Sequence, residues 1–303
     1  MQPPGRFLER SLSFVDMPAQ DLIRQWTRVL EREDNQTNLG EAALVIARTE
    51  YPNLDVSAQL CRLDRMASEV PLGACAAPLT NIETLNAYLF EKEMFAGNEE
   101  EYDDPRNSFL NDVLDRKKGI PITLSLIYME IARRLGLPVV GVGFPGHFLV
   151  KYMVSPRADV GTSPEEILAD EILVDPYHRG AILTRDDCVT LLKSHFGQEA
   201  ELHPSFLEAA APKEILARML NNLKGSYFRR QNFSKVLTMI ELALAIDPAS
   251  ARDIRDRGMV YFAMKRYNDA LADFKTYLSL SPREDPGIQE VLQAIHRIRA
   301  AMN

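Results

Sequence analysis

The sequence predicts an α+β domain with a helical N-terminal part, followed by an all-α domain built from repeats. Two observations carry this prediction. Near the C-terminus, residue classes return at a fixed spacing of 34 positions. In the middle of the chain, a sharply punctuated helix gives way to segments with strand-like alternation. The domains are expected at residues 1–205 and 212–303.

Residues 17–96 read as helices. Within 21–32, Leu22, Trp26, Val29 and Leu30 fall on one face. Residues 41–51 form a second helix that stops at Pro52, and Asp55 is placed to cap a third carrying Val56, Leu60, Leu63 and Met66. A fourth, over 80–96, has Ile82, Leu85, Leu89 and Phe90 as its apolar residues. The acidic run at 98–105 lacks the glycine and ligand spacing of an EF-hand loop, so it reads as a solvated loop.

The best-punctuated helix begins at Pro121, which lacks only an N–H that the first helical turn leaves unpaired anyway. Ile122, Leu126, Met129 and Arg133 share a face that is mostly apolar. Arg133 and Arg134 stand in the last turn, Gly136 supplies a left-handed cap, and Pro138 prevents continuation. Strands follow at 137–143, 148–154 and 171–174, and the polar loop 155–169 allows the last two to pair antiparallel. His147 begins one of these strands and Asp175 follows the other, so the pairing brings them to one sheet edge.

In the C-terminal part, Pro248 and Pro282 lie 34 residues apart. Tyr227 corresponds to Tyr261, Phe233 to Tyr267, Leu237 to Leu271, Ile240 to Phe274 and Leu244 to Leu278. Each unit reads as two helices ended by a proline, and one such hairpin cannot cover its own apolar face. Period, tyrosine and terminal proline resemble the tetratricopeptide repeat. The second copy has Gly258, Ala270 and Phe274 in place, whereas the first has Lys224 where the small glycine belongs. A final stripe of Ile288, Val291, Leu292, Ile295 and Ile298 reads as a capping helix.

A helix followed by strands bearing His147 and Asp175 resembles the transglutaminase-like branch of the papain-type fold. The strings Asn107-Ser-Phe-Leu-Asn, Gly119-Ile-Pro-Ile-Thr-Leu-Ser, Phe144-Pro-Gly-His-Phe-Leu-Val and Asp175-Pro, in that order, resemble the bacterial SirB-type regulators. Those proteins join a transglutaminase-like core to tetratricopeptide repeats. The resemblance implies an α+β transglutaminase-like (papain-type) N-terminal domain with a helical N-terminal extension, then an all-α tetratricopeptide-repeat domain. It also implies a cysteine nucleophile at the start of the central helix, with His147 as base and Asp175 as its orienting partner.

That cysteine is missing from Pro121-Ile-Thr-Leu. A helix N-terminus contributes about 0.3–2 kcal/mol toward an anion, enough to help a thiol ionise but far too little for an alcohol. Thr123 or Ser125 would therefore depend on His147 as base, and a hydroxyl at Ser125 more commonly bonds a backbone carbonyl. Cys61 and Cys188 read as packing residues and Cys75 as a loop residue, with no metal-ligand spacing among them. His178 is the one further histidine that could join His147 and Asp175 around a metal, but no metal or cofactor is expected.

A composition with 46% hydrophobic and 26% charged residues is that of a globular protein, and a formal charge of −8 without a basic stretch argues against nucleic-acid binding. No apolar run reaches the roughly 18 residues of a membrane span, and the N-terminus lacks a signal-peptide pattern, so a cytosolic chain is expected. The expected function is that of a scaffold or regulator whose repeat domain holds a protein or peptide partner. One alternative is a hydrolase or acyl-transfer enzyme using Thr123 or Ser125 with His147 and Asp175. The other is a sensor that binds a small ligand or peptide in the relict cleft.

Overall fold

The computed structural model describes residues 17–33, 37–73, 76–154, 171–282 and 284–302. Cys75 and the loop expected at 155–169 lie outside them. The chain divides into two compact units, residues 32–219 and residues 1–31 with 220–303.

In the unit 32–219, helices α2 (Leu39–Ala47), α3 (Val56–Ser68), α4 (Pro78–Asn86), α5 (Leu110–Arg116) and α6 (Pro121–Arg134) precede the main sheet. Asn38 and Asp55 cap α2 and α3 through their side chains, accepting from Glu41 N and Ala58 N. Helix α4 passes into a π-helical turn, Ala87–Lys92, so the single helix expected over 80–96 has two parts. Short strands β1 (Ala96–Gly97) and β2 (Lys118–Gly119) then pair in parallel.

Helix α6 is buried from Pro121 through Ala132, with Ile120 preceding it as N-cap. The expected apolar stripe is thus too narrow a description. A helix apolar almost all round becomes the centre of a unit, and α2, α3, α5 and the sheet pack around this one. Glu130 is its buried charge and pairs with Arg133 at 3.1 Å and Arg134 at 2.5 Å. Gly40 permits the approach of α2, since a Cβ there would lie 2.8 Å from Glu130 Oε2. Helix α6 ends as expected. Gly136 has φ +71°, Gly136 N–H donates to Arg133 O, and Leu137 N–H donates to Ala132 O.

The sheet that follows is an antiparallel meander of β3 (Val139–Val142), β4 (Leu149–Met153), β5 (Glu171–Asp175) and β6 (Ala181–Leu183). Val142 pairs with Leu149, Val150 with Val174, and Asp175 with Ala181. Helix α7 (Arg185–Phe196) packs beside β6, starting from a capping box in which the Thr184 and Asp187 side chains each accept from the other's backbone N–H. Its Cys188 and Leu192 join Val142, Phe144 and Leu149 in a core cluster.

The other unit holds α1 (Met17–Leu30) and helices α9 (Phe233–Ile246), α10 (Ala251–Ala263), α11 (Tyr267–Leu280) and α12 (Gly287–Met302). Helix α8 (Pro212–Arg229) contains the boundary between the units. The pair α10 and α11 has the close contact that a small residue allows. A Cβ on Gly258 would lie 2.7 Å from the Phe274 ring, and Ala270 and Phe274 are fully buried. Lys224, in the corresponding place of the first copy, instead reaches α10 and pairs with Asp253 and Asp256, both at 2.8 Å.

One expectation is corrected here. The N-terminal helix was assigned to the first domain, but α1 belongs to the unit of the repeats. Trp26 is fully buried, and its indole N–H donates to Leu242 O of α9 at 3.1 Å. The apolar face read at Leu22, Trp26, Val29 and Leu30 is real, and periodicity alone does not say which core it joins. Among the described residues, no helix is long and apolar enough to cross a membrane.

Candidate active site

The sequence Phe144-Pro-Gly-His147 folds as a tight turn. His147 N–H donates to Phe144 O at 3.1 Å, Pro145 and Gly146 are the central residues, and Gly146 has φ +72°. Proline then glycine with positive φ is the requirement of a type II turn. The Arg218 guanidinium holds the turn from outside, donating to Phe144 O at 2.9 Å and to His147 O. These bonds fix the backbone of His147 two residues before β4.

Asp175, the last residue of β5, lies opposite. His147 Nε2 is 2.9 Å from both of its carboxylate oxygens, so the two side chains meet at one sheet edge as the strand register predicts. Tyr177 N–H and His178 N–H donate to Oδ1 at 3.0 and 3.4 Å, and His178 Nδ1 lies 2.7 Å from Oδ2. Burial pushes the Asp175 carboxyl up, but its hydrogen bonds with His147 and His178 and the charge of both outweigh this and hold it below its ordinary value. An ionised carboxylate only accepts, so His147 carries a proton on Nε2 and His178 carries one on Nδ1. When the His147 ring is neutral, its Nδ1 keeps the lone pair that a base requires.

The rings around this pair form a layered cluster. His178 stacks on His147 with centroids 5.7 Å apart, and His195 of α7 stacks on its other side at 6.5 Å. Tyr177 stands edge-on to His147 at 5.8 Å, and its phenol is pushed up to about 12, mainly by burial. Gly97 makes room for that ring, since a Cβ there would lie 2.6 Å from it. Tyr102, from the acidic loop, meets Tyr177 at 6.3 Å. The loop is exposed at 99–103 but anchored at its ends. Asn98 Nδ2 donates to Asn107 Oδ1 at 3.0 Å, and Asn107 Nδ2 donates to Glu101 O at 2.6 Å. Asn107 is thus a loop anchor.

Thr123 and Ser125 are both fully buried in α6. Ser125 Oγ donates to Phe148 O at 3.3 Å, which ties α6 to the residue before β4. The hydroxyl of Ser125 thus bonds a backbone carbonyl, as expected, and that carbonyl belongs to the chain approaching the sheet. Thr123 Oγ1 is buried without a hydrogen-bond partner. Neither hydroxyl hydrogen-bonds His147. Cys188 is buried on α7, where burial first and the nearby Asp187 carboxylate second push its thiol up to about 11. Cys61 is exposed on α3, which corrects its reading as a packing residue. Its side chain points away from the core residues Leu63, Met66 and Ala67.

Sequence reasoning missed Arg218, Tyr177 and His195 as parts of this cluster. The Pro145-Gly146 dipeptide did carry the turn signal. Arg218 and His195 are distant in sequence, and nothing local marks them. Among the described residues, His147, Asp175 and His178 are the group of potential metal ligands that converge, with ligand atoms within 4.8 Å of one another.

Residues 55–221 match the transglutaminase-like superfamily, and residues 223–303 match the tetratricopeptide repeat. The chain is 35% identical to the UPF0162 protein of Xylella fastidiosa (strain Temecula1), over 88% of this chain and 92% of that one. It is 32% identical to UPF0162 protein PA3419 of Pseudomonas aeruginosa, over 74% and 77%. With protein SirB1 of Salmonella typhimurium it shares 27% identity over 82% and 86%. The chain therefore belongs to the transglutaminase-like superfamily and to the UPF0162 proteins, and it carries a tetratricopeptide-repeat region of its own.

Proposed function

We propose that this protein is a cytosolic scaffold or regulator whose transglutaminase-like domain has lost its nucleophile and whose repeat unit recruits a protein partner. The supporting observation is the first turn of α6. A papain-type site needs a thiol there, and the chain has Ile122 and Thr123, both buried among core residues. The hydroxyl of Ser125 is engaged by Phe148 O, and the Cys188 thiol stays protonated in its own cluster.

The repeat unit supplies a surface for the second half of the proposal. A groove of about 380 Å³ is lined from α8, α9, α10 and α12, with Phe228, Ile240, Met259, Arg252, Asp256 and Glu290 among its lining residues. Phe228 is 55% exposed, a large apolar ring at the edge of a groove whose lining is more apolar than polar. An exposed aromatic at a mainly apolar groove suits a partner segment with a large apolar anchor, since Lys224 and Arg255 are already paired with Asp256.

The intact His147–Asp175 pair favours a second reading, a hydrolase or acyl-transfer enzyme acting through Thr123 or Ser125. One experiment separates the two. The full-length protein is used for capture from its native cytosol, and in parallel for peptide and ester turnover. The scaffold reading expects capture that is lost in Phe228→Glu and kept in His147→Ala, with no turnover. Turnover abolished by His147→Ala, and also by Thr123→Ala or Ser125→Ala, would establish the enzyme instead.

A further inference from the structure

His178 has no task in either reading. A base–aspartate pair needs one imidazole, yet two converge on Asp175. The His147 ring arrives from the turn before β4, and the His178 ring arrives from the 3-10 turn Pro176–His178 after β5. Asp175 is fixed between them by backbone N–H groups, so its second oxygen is turned to where both rings point.

We propose that His147 Nε2, Asp175 and His178 Nδ1 form a binding site for a divalent transition-metal ion of the zinc class. Two imidazole nitrogens and one carboxylate are a donor set that Zn²⁺ accepts, leaving a fourth position for water or a ligand. With bonds of about 2.0–2.1 Å, a tetrahedral ion sets its ligand atoms about 3.3 Å apart. His147 Nε2 and His178 Nδ1 now lie 2.9 and 2.7 Å from Asp175 oxygens, and the whole set spans no more than 4.8 Å. Small ring displacements therefore suffice. On binding, the protons on these two nitrogens move to the other nitrogen of each ring, so neutral imidazoles need lose no net proton.

The surroundings suit an ion. The carboxylate is buried and its partners are buried or stacked, so the cage is held in place without metal. His178 is 53% exposed, which leaves an entry path and a solvent-facing coordination position. Tyr177 and His195 pack around the cage from the turn and from α7, completing a wall of rings. The outer shell of a metal site commonly provides this kind of ligand orientation.

The inference is independent of the partner reading, since it needs neither the repeat groove nor a substrate. The test uses the full chain prepared without a polyhistidine tag, titrated calorimetrically with Zn²⁺ and spectroscopically with Co²⁺. One ion per chain is expected, with a Co²⁺ spectrum of low coordination number. His178→Ala should weaken binding by at least about tenfold, as Asp175→Asn should. His203→Ala should leave it unchanged, because His203 is engaged with Ser205 away from the cluster. His178 is exposed, so its variant is expected to fold and decides the matter if Asp175→Asn does not. No stoichiometric binding, or equal binding by the wild type and His178→Ala, would overturn the proposal.

Discussion

His147 and Asp175 carry the sharpest expectation at the scale of single residues. Because Asp175 lies below its ordinary value in the fold, it takes up its proton at lower pH there than in the unfolded chain. Its contribution to stability is therefore complete above the ordinary carboxylate range near pH 4 and is lost as pH falls through the lower folded value. Asp175→Asn should flatten that acid limb in melts recorded across pH. At neutral pH it should cost about 1–3 kcal/mol, because a buried ring loses its charged acceptor. An unchanged acid limb would mean that Asp175 is not held as described. These two residues were legible because each stands at a strand end, where alternation and turn residues fix the register. Arg218 and His195 were not, because each reaches the cluster by a long-range contact that leaves no local pattern, and Tyr177 was not, because nothing in its position two residues past Asp175 says where its ring packs.

At the scale of elements, punctuation decided what could be read. Helix α6 has proline at its start, arginines in its last turn and glycine just past its end, and it was found to within a residue or two. Strand β6 went unread. It has only three residues, Ala181–Leu183, two of them exposed, so no alternating stripe marks it. The π-helical turn Ala87–Lys92 was merged with its neighbour because five-residue bonding leaves no signature in apolar spacing. In the repeat, the 34-residue period placed Gly258, Ala270 and Phe274 at a contact that the structure draws tight. A methyl group added at Gly258 meets the buried Phe274 ring at 2.7 Å, so Gly258→Ala should cost about 1–3 kcal/mol by overpacking. Chemical denaturation would reveal this as a lower midpoint at unchanged slope, and an unshifted midpoint would count against the α10–α11 contact.

At the scale of the whole molecule, sequence order and spatial grouping part company. Helix α1 belongs with the helices that follow residue 220, because its apolar face meets α9. The contact has a built-in reporter, since Trp26 is the only tryptophan of the chain and is fully buried. Its emission should follow the unfolding of the repeat unit, moving to longer wavelength as the indole reaches water. Trp26→Ala removes a large buried side chain and the hydrogen bond to Leu242 O, a loss expected to cost about 3–5 kcal/mol. The more discriminating measurement combines the two sites. Gly258 and Trp26 lie on different helices of one unit, so Gly258→Ala should shift the emission midpoint and the helical circular-dichroism signal of that transition together. Emission that changes early, before helicity is lost and regardless of Gly258, would mean that α1 detaches by itself. The N-terminal helix would then be an appendage to the repeats, and their core would close without it.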